Sequence, residues 1–224
     1  MGLNYFNVKK QIVITALGLM FACTAVAALY TYDYSVGSAI PDGTATGIYN
    51  QQTISGVPAA IQSMNVTINV SGGYNGDLYC YLRHDDNLVV LLNQVGTTSS
   101  DSFGYDNTGF QITLRDTAPQ ISDVHFYQNA SYALNGNGQL TGSWRPDGGS
   151  LATFNNADAN GDWTIFFADL SGGEQSTLVS WGLEITAVPE PVTVALAVFA
   201  GLAMVGSFAG WIRRRSRQGE RRIS

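Results

Sequence analysis

A chain of 224 residues and 24.0 kDa has room for one domain of ordinary size. Hydrophobic residues at 45% exclude a disordered chain, and 25 glycines with only 12% charged residues exclude a coiled coil. The formal charge of −6 hides a segregation: between Leu29 and Val188 three basic residues face fifteen acidic ones, a net −12, while six arginines crowd the last twelve positions. An acidic surface of that size repels phosphate backbones and excludes nucleic acid as a partner.

Residues 1–28 read as a secretory signal peptide. Lys9 and Lys10 precede an apolar run from Ile12 to Ala22, and Ala25-Val26-Ala27 supplies the small-x-small cleavage pattern. An uncleaved membrane anchor is the alternative, because the apolar run is long for a signal. Acylation of Cys23 is disfavoured by the bulk of Phe21. Cleavage after Ala27 removes Cys23 and leaves Cys80 alone, so the exported domain has no internal disulfide and depends on its core, with or without a metal.

Between residues 30 and 188 no stretch keeps a helical period. The pattern predicts an all-β domain over residues 29–187, a β-sandwich of the jelly-roll kind. Residues 64–70 put Met64, Val66, Ile68 and Val70 on one face and Asn65, Thr67 and Asn69 on the other. Residues 78–82, 110–114 and 181–185 alternate in the same way. In the first of these, Cys80 points inward with Leu78 and Leu82, where a thiol is inert. Residues 88–92 and 163–167 are unbroken apolar runs, which predicts strands buried on both faces. Glycine-rich segments at 71–76, 147–149, 160–161 and 171–173 supply the turns.

The C-terminus has three parts. Val188-Pro189-Glu190-Pro191 is a stiff hinge. Residues 192–212 are 21 positions without a charge, about 31 Å long as a helix, which matches a bilayer core. Arg213-Arg214-Arg215 then closes the span on the cytoplasmic side. With Lys9 and Lys10 on that same side, the acidic middle lies outside. This ending resembles the PEP-CTERM sorting signal of bacteria that export extracellular polysaccharide. The resemblance implies that an exosortase, a membrane-embedded transpeptidase, is a partner and processes the chain near Pro189-Glu190-Pro191. It also implies delivery to the cell surface or the extracellular polysaccharide matrix. An ordinary single-span anchor is the alternative.

A second resemblance covers residues 38–186. Gly76-Asp77-Leu78 with Leu82, then Gly161-Asp162-Trp163-Thr164-Ile165, then Asp169, Gly173, Leu178 and Trp181-Gly182-Leu183-Glu184-Ile185 follow one another in order. Together they resemble the P domain (P/Homo B) of proprotein convertases. That likeness implies a jelly-roll sandwich that stabilises or regulates a subtilisin-like serine endopeptidase. The Pro-Gly-type turn of the family is replaced by Arg83-His84-Asp85-Asp86-Asn87. No protease is present, because the chain is too short to hold a subtilisin-type triad as well.

No catalytic constellation is legible elsewhere. His84 is read as part of an acidic turn with Asp85 and Asp86, and His125 follows Asp123-Val124. Neither stands near a Gly-x-Ser-x-Gly elbow or a His-Glu-x-x-His helix, so both are expected to be polar turn residues. A glycosidase-type carboxylate pair stays open, since distance in space is not legible here. Calcium is the better chemical expectation for an acidic exported domain. The loop 156–162 imitates a calcium loop, with Gly161 at its sixth position, but Asn156 is uncharged and Phe167 stands where a bidentate glutamate belongs. Asp77, Asp116 and Asp169, at strand ends of the P-like pattern, are the candidate Ca2+ ligands; turn capping without an ion is the alternative. Tyr79 and Tyr81 lie outward if Cys80 lies inward, a candidate pair for stacking on sugar, with packing against the next strand as the alternative.

The expectation is thus an exported, non-catalytic P-domain-like module that binds matrix sugar or a surface protein. The alternative is an accessory module of a separately encoded subtilisin-like serine endopeptidase. A hydrolase on a jelly-roll face is a third reading with no residues assigned to it.

Overall fold

The computed structural model describes residues 26–117 and 122–188 and, beyond them, Phe199. Nine strands are formed: β1 (Ala28–Ala39), β2 (Thr44–Ile54), β3 (Ala60–Gly72), β4 (Leu78–His84), β5 (Asn87–Asn93), β6 (Gly109–Leu114), β7 (Leu140–Trp144), β8 (Gly161–Asp169) and β9 (Ser176–Val188). They make two sheets, ordered β1-β9-β3-β6-β7 and β2-β8-β4-β5. Every pairing is antiparallel except β6 with β7, which is parallel.

Alternation in the strands creates the core. Val66, Ile68 and Val70 of β3 and Trp181, Leu183 and Ile185 of β9 are buried in the first sheet; Leu78, Cys80 and Leu82 of β4 and Trp163, Ile165 and Phe167 of β8 are buried in the second. Each large apolar side chain so covered contributes roughly 1.5–3 kcal/mol. The indole Nε1 of Trp181 donates to Asn50 Oδ1 on β2 at 2.8 Å, which links one sheet to the other. Cys80 sits inward as expected, and burial pushes its thiol well above the ordinary range.

All six strands predicted from alternation or apolar runs are present, but two differ in character. β5 and β8 are not buried on both faces. Leu88 is 46% exposed, and Thr164 and Phe166 are only half-buried. The reason is the absence of a layer over the outer face of the second sheet among the described residues. A β-bulge opposite Cys80 and Tyr81 turns both Leu91 and Leu92 inward, which accounts for the unbroken apolar run in β5.

Three further strands are formed, and β1 has an alternation of its own, with Tyr30, Tyr32, Tyr34 and Val36 on one face against the core. β1 and β2 are edge strands, and β2 turns Asn50 and Gln52 toward its sheet partner layer, where Gln52 Nε2 donates to Asn50 Oδ1 at 3.0 Å. Polar residues on the inner side hide its period. β7 has five residues, with Gly142 in the middle at φ 96°.

Ala28 at the start of β1 pairs with Ala187 near the end of β9. The chain therefore enters and leaves the sandwich at one end. Most of the signal segment, Cys23, Pro189-Glu190-Pro191, the 192–212 span and Arg213-Arg214-Arg215 lie outside the described residues. Among the described residues, no helix is long and apolar enough to cross a membrane.

Candidate functional site

The outer face of the second sheet carries Tyr49, the most exposed aromatic side chain within any of the described strands. Register places Tyr49 of β2 opposite Phe166 of β8, and Phe166 opposite Tyr81 of β4. With strands about 4.8 Å apart, Tyr49 and Tyr81 stand about 10 Å from each other across Phe166. Tyr81 stacks on Phe166 with ring centroids 4.9 Å apart and planes at 17°. Tyr49 is 74% exposed. Gly47, at φ 55°, leaves room for this arrangement, because a Cβ there would run into the Phe166 ring and the Phe167 carbonyl.

One rung along the same face lie Gln51, Thr164 and Arg83, again in register. Gln51 Nε2 donates to Asp162 Oδ2 at 2.8 Å and Thr53 Oγ1 to Asp162 Oδ1 at 2.6 Å. Arg83 Nε donates to the Asp85 carbonyl at 3.0 Å. Rings on one side and these polar groups on the other border a shallow groove of about 550 Å³. That volume lies within the usual range for small-ligand sites.

Tyr79 and Tyr81 do not form the parallel pair foreseen from the sequence. Both face outward, but their planes meet at 65° with centroids 6.3 Å apart. Only Tyr81 borders the groove, and its partners there come from β8 and β2.

Asp77 and Asp169 do meet, joined by Asp42 and not by Asp116. Leu78 pairs with Asp169, and Leu170 N donates to Asp77 O at 2.8 Å, so both carboxyls share one rim of the sandwich. Asp169 is wholly buried and neither of its carboxylate oxygens has a hydrogen-bond partner. Burial pushes its pKa up to about 6; the charges of Asp77 and Asp42 add to the rise, while the Ser171 amide and Ser176 hydroxyl oppose it without closing a hydrogen bond. Asp77 is raised as well, by burial first, against its hydrogen bond with Ser171. Among the described residues, no group of three or more His, Cys, Asp or Glu side chains is placed to hold a metal ion. Burial and mutual repulsion thus disfavour the ionised form of both carboxyls at this rim.

Asp116 has a different task. Its Oδ1 accepts from Leu151 N at 2.9 Å, and its Oδ2 accepts from Ala152 N and Ser150 Oγ, both at 2.7 Å. It thus caps the short 3-10 helix Leu151–Phe154, whose Leu151 and Phe154 are buried in the core. Asp116→Ala is expected to cost about 1–2 kcal/mol, as for loss of a helix cap. Thermal unfolding checks it: a drop of about 2–8 °C is expected, and an unchanged midpoint would show the cap to be dispensable.

Both histidines are bound up in the fold. His84 is the last residue of β4, fully buried, and not a turn residue. The turn is Asp85-Asp86, with Asp85 at φ 49°, and it pairs His84 directly with Asn87. His125 Nδ1 lies 2.8 Å from Asp147 Oδ2, and its Nε2 lies 3.0 Å from the Thr97 carbonyl. Burial lowers the pKa of His125, but the hydrogen bonds to Asp147 and Thr97 and the charges of Asp147 and Asp123 outweigh it, for a net rise. Burial also raises Asp147, against the hydrogen bond from His125. Both ring nitrogens are thus engaged, one by a carboxylate and one by a backbone carbonyl. The loop 156–162 is stapled to the chain before β3: Asn160 exchanges hydrogen bonds with the Val57 backbone at 3.0 and 2.7 Å.

Gln51, Phe166 and Asp42 were not foreseen, and Tyr49 does not stand apart in the sequence from the other tyrosines that allow a carbohydrate-binding face. The residues are plain in the sequence, but their meeting depends on strand register across more than eighty positions.

No known protein family matches the chain, and no curated protein sequence does. Among solved structures, it is similar to the Aeromonas sobria serine protease in complex with the chaperone ORF2, at 14% identity over 74% of this chain and 28% of that one, with a TM-score of 0.46. It is also similar to the serine protease of Aeromonas sobria, at 14% identity over 72% of this chain and 27% of that one, with a TM-score of 0.43. The chain spans little more than a quarter of the length of those structures.

Proposed function

We propose that this protein is an exported, non-catalytic β-sandwich module of the P-domain jelly-roll kind, sorted to the cell surface or polysaccharide matrix, where it binds matrix sugar or a protein partner. The observation that carries the reading is the pairing of Ala28 with Ala187. The two ends of the acidic domain, where the sequence continues into the leader-like segment and the Pro-Glu-Pro motif, are thus neighbours. The P-like motif residues support the module class, since Leu78, Trp163 and Trp181 all serve as buried core positions of β4, β8 and β9.

The non-catalytic reading is supported by the engagement of both histidines with carbonyl or carboxylate oxygens. The same P-like pattern favours a second reading, an accessory module for a separately encoded serine endopeptidase.

Cell fractionation with mass spectrometry of the mature termini tests the proposal. A chain that starts at Ala28, ends near Pro189-Glu190-Pro191 and is recovered from the matrix is the expected result. A full-length C-terminus in the membrane fraction would refute processing by an exosortase and leave a fixed anchor. Recovery from the cytosol would refute export altogether. An endopeptidase that co-purifies from these fractions, and loses activity without this chain, would favour the second reading.

A further inference from the structure

We infer that the outer face of the four-stranded sheet, along Tyr49, Phe166 and Tyr81 with Gln51, Arg83 and Asp162 beside them, binds a neutral polysaccharide. This deepens the sugar-binding part of the proposed function and rests on that reading.

Three features point to this ligand class. The first is exposure in register. Tyr49, 74% exposed, and Tyr81 flank Phe166 across neighbouring strands, so their ring surfaces are set by the backbone ladder and not by a mobile loop. Their separation of about 10 Å, two strand spacings, is on the scale of two sugar units, so the two tyrosines would meet alternate rings of an extended chain.

The second is the mixed chemistry of the groove. A pyranose presents carbon-bound hydrogens on its faces and hydroxyls around its rim, each hydroxyl both donor and acceptor. Here the rings supply apolar surface, and about 7 Å along the strands Gln51, Thr164 and Arg83 supply polar groups. The Asp162 carboxylate is held in place by Gln51 and Thr53, so it is oriented before a ligand arrives. A carboxylate retains acceptor capacity beyond two such bonds, and the guanidinium of Arg83 has donors beyond its bond to the Asp85 carbonyl.

The third is charge. The groove sets two carboxylates, Asp85 and Asp162, against one arginine. It lies on a domain whose segment from Leu29 to Val188 carries fifteen acidic and three basic residues. That field opposes uronate-rich, sulfated or phosphorylated chains and leaves uncharged ones favoured.

The test is retention of the full-length protein, in detergent, by soluble polysaccharides cast into native gels. Dextran, mannan and mixed-linkage β-glucan serve as neutral probes, and alginate as the acidic one. Retention by at least one neutral probe and none by alginate is expected. Tyr49→Ala and Tyr81→Ala should each weaken it about tenfold. Tyr132→Ala, on an exposed aromatic of another surface, should leave it unchanged. Tyr49 lies largely in solvent, so its variant should unfold at the wild-type temperature, and lost binding then reads as a lost contact.

Retention by no neutral probe, retention that survives both Tyr49→Ala and Tyr81→Ala, or a preference for alginate would each overturn the inference. Fractionation of the same strains separates the two proposals. An exported chain without Tyr49-dependent retention sinks this face and leaves export standing. A cytosolic chain that still binds through Tyr49 does the reverse.

Discussion

Replacing His84 by alanine is expected to lower stability by about 3–5 kcal/mol, a larger loss than any surface change. The ring is fully buried and lies parallel to the Trp163 indole at 4.1 Å, with an interplanar angle of 0°. Its Nδ1 is 3.0 Å from the Asp162 carbonyl and its Nε2 is 2.7 Å from the Asp158 carbonyl. One side chain thus clamps the segment that leads into β8 to the end of β4. Trp163 depends on the same segment, because its Nε1 donates to Ala159 O at 2.9 Å. Alanine would take the N–H donor away from these carbonyls and leave a cavity beside the indole. Thermal unfolding should show a midpoint lower by about 10 °C or more. His84→Gln keeps an N–H donor and should recover part of the loss. If His84→Ala unfolds within about 3 °C of wild type, the clamp contributes little.

The carboxylate rim leads to a prediction of opposite sign. Asp169 titrates near 3.8 in an ordinary setting and at about 6 in the fold. The folded chain therefore holds more protons than the unfolded one between those values, and stability falls as pH rises through that window. Above it the carboxylate is ionised, buried and without a hydrogen-bond partner. Asp169→Asn removes that charge at nearly constant shape. The variant should match wild type near pH 4 and exceed it by about 1–3 kcal/mol above pH 6.5, the usual cost of an unsatisfied buried polar group.

Chemical denaturation at both pH values measures this difference. A destabilised Asp169→Asn at high pH would contradict a cost of burying the ionised carboxylate. Millimolar calcium is expected to leave the wild-type midpoint unchanged. A rise of several degrees that Asp169→Asn abolishes would instead make Asp77 and Asp169 cation ligands, the role their positions in the sequence had suggested.

The aromatic face and the rim were each half legible. Tyr81 was correctly turned outward from the inward Cys80, since alternate side chains of a strand must point to opposite faces. Its partner was misjudged because Tyr79 is near in sequence, whereas Phe166 is near in space through the β4–β8 ladder. Asp77 and Asp169 were rightly placed at strand ends. Asp116 was grouped with them for the same reason, although β6 leads it to the 3-10 helix at Leu151–Phe154. His84 was misread because a run of polar residues, Arg83 to Asn87, masks a turn of only two residues.

The sequence by itself determined the all-β class, the inward set of β3, β4 and β9 and the acidic middle. These follow from local geometry and composition, which any contiguous stretch displays without knowing its neighbours. Only the tertiary structure decided which strands lie side by side, and hence the Tyr49–Phe166–Tyr81 row, the meeting of Asp42 with Asp77 and Asp169, and the clamp of His84 on Trp163. Register between strands distant in sequence is set by the packing of the whole core, and a shift of one residue would send every one of these side chains to the other face.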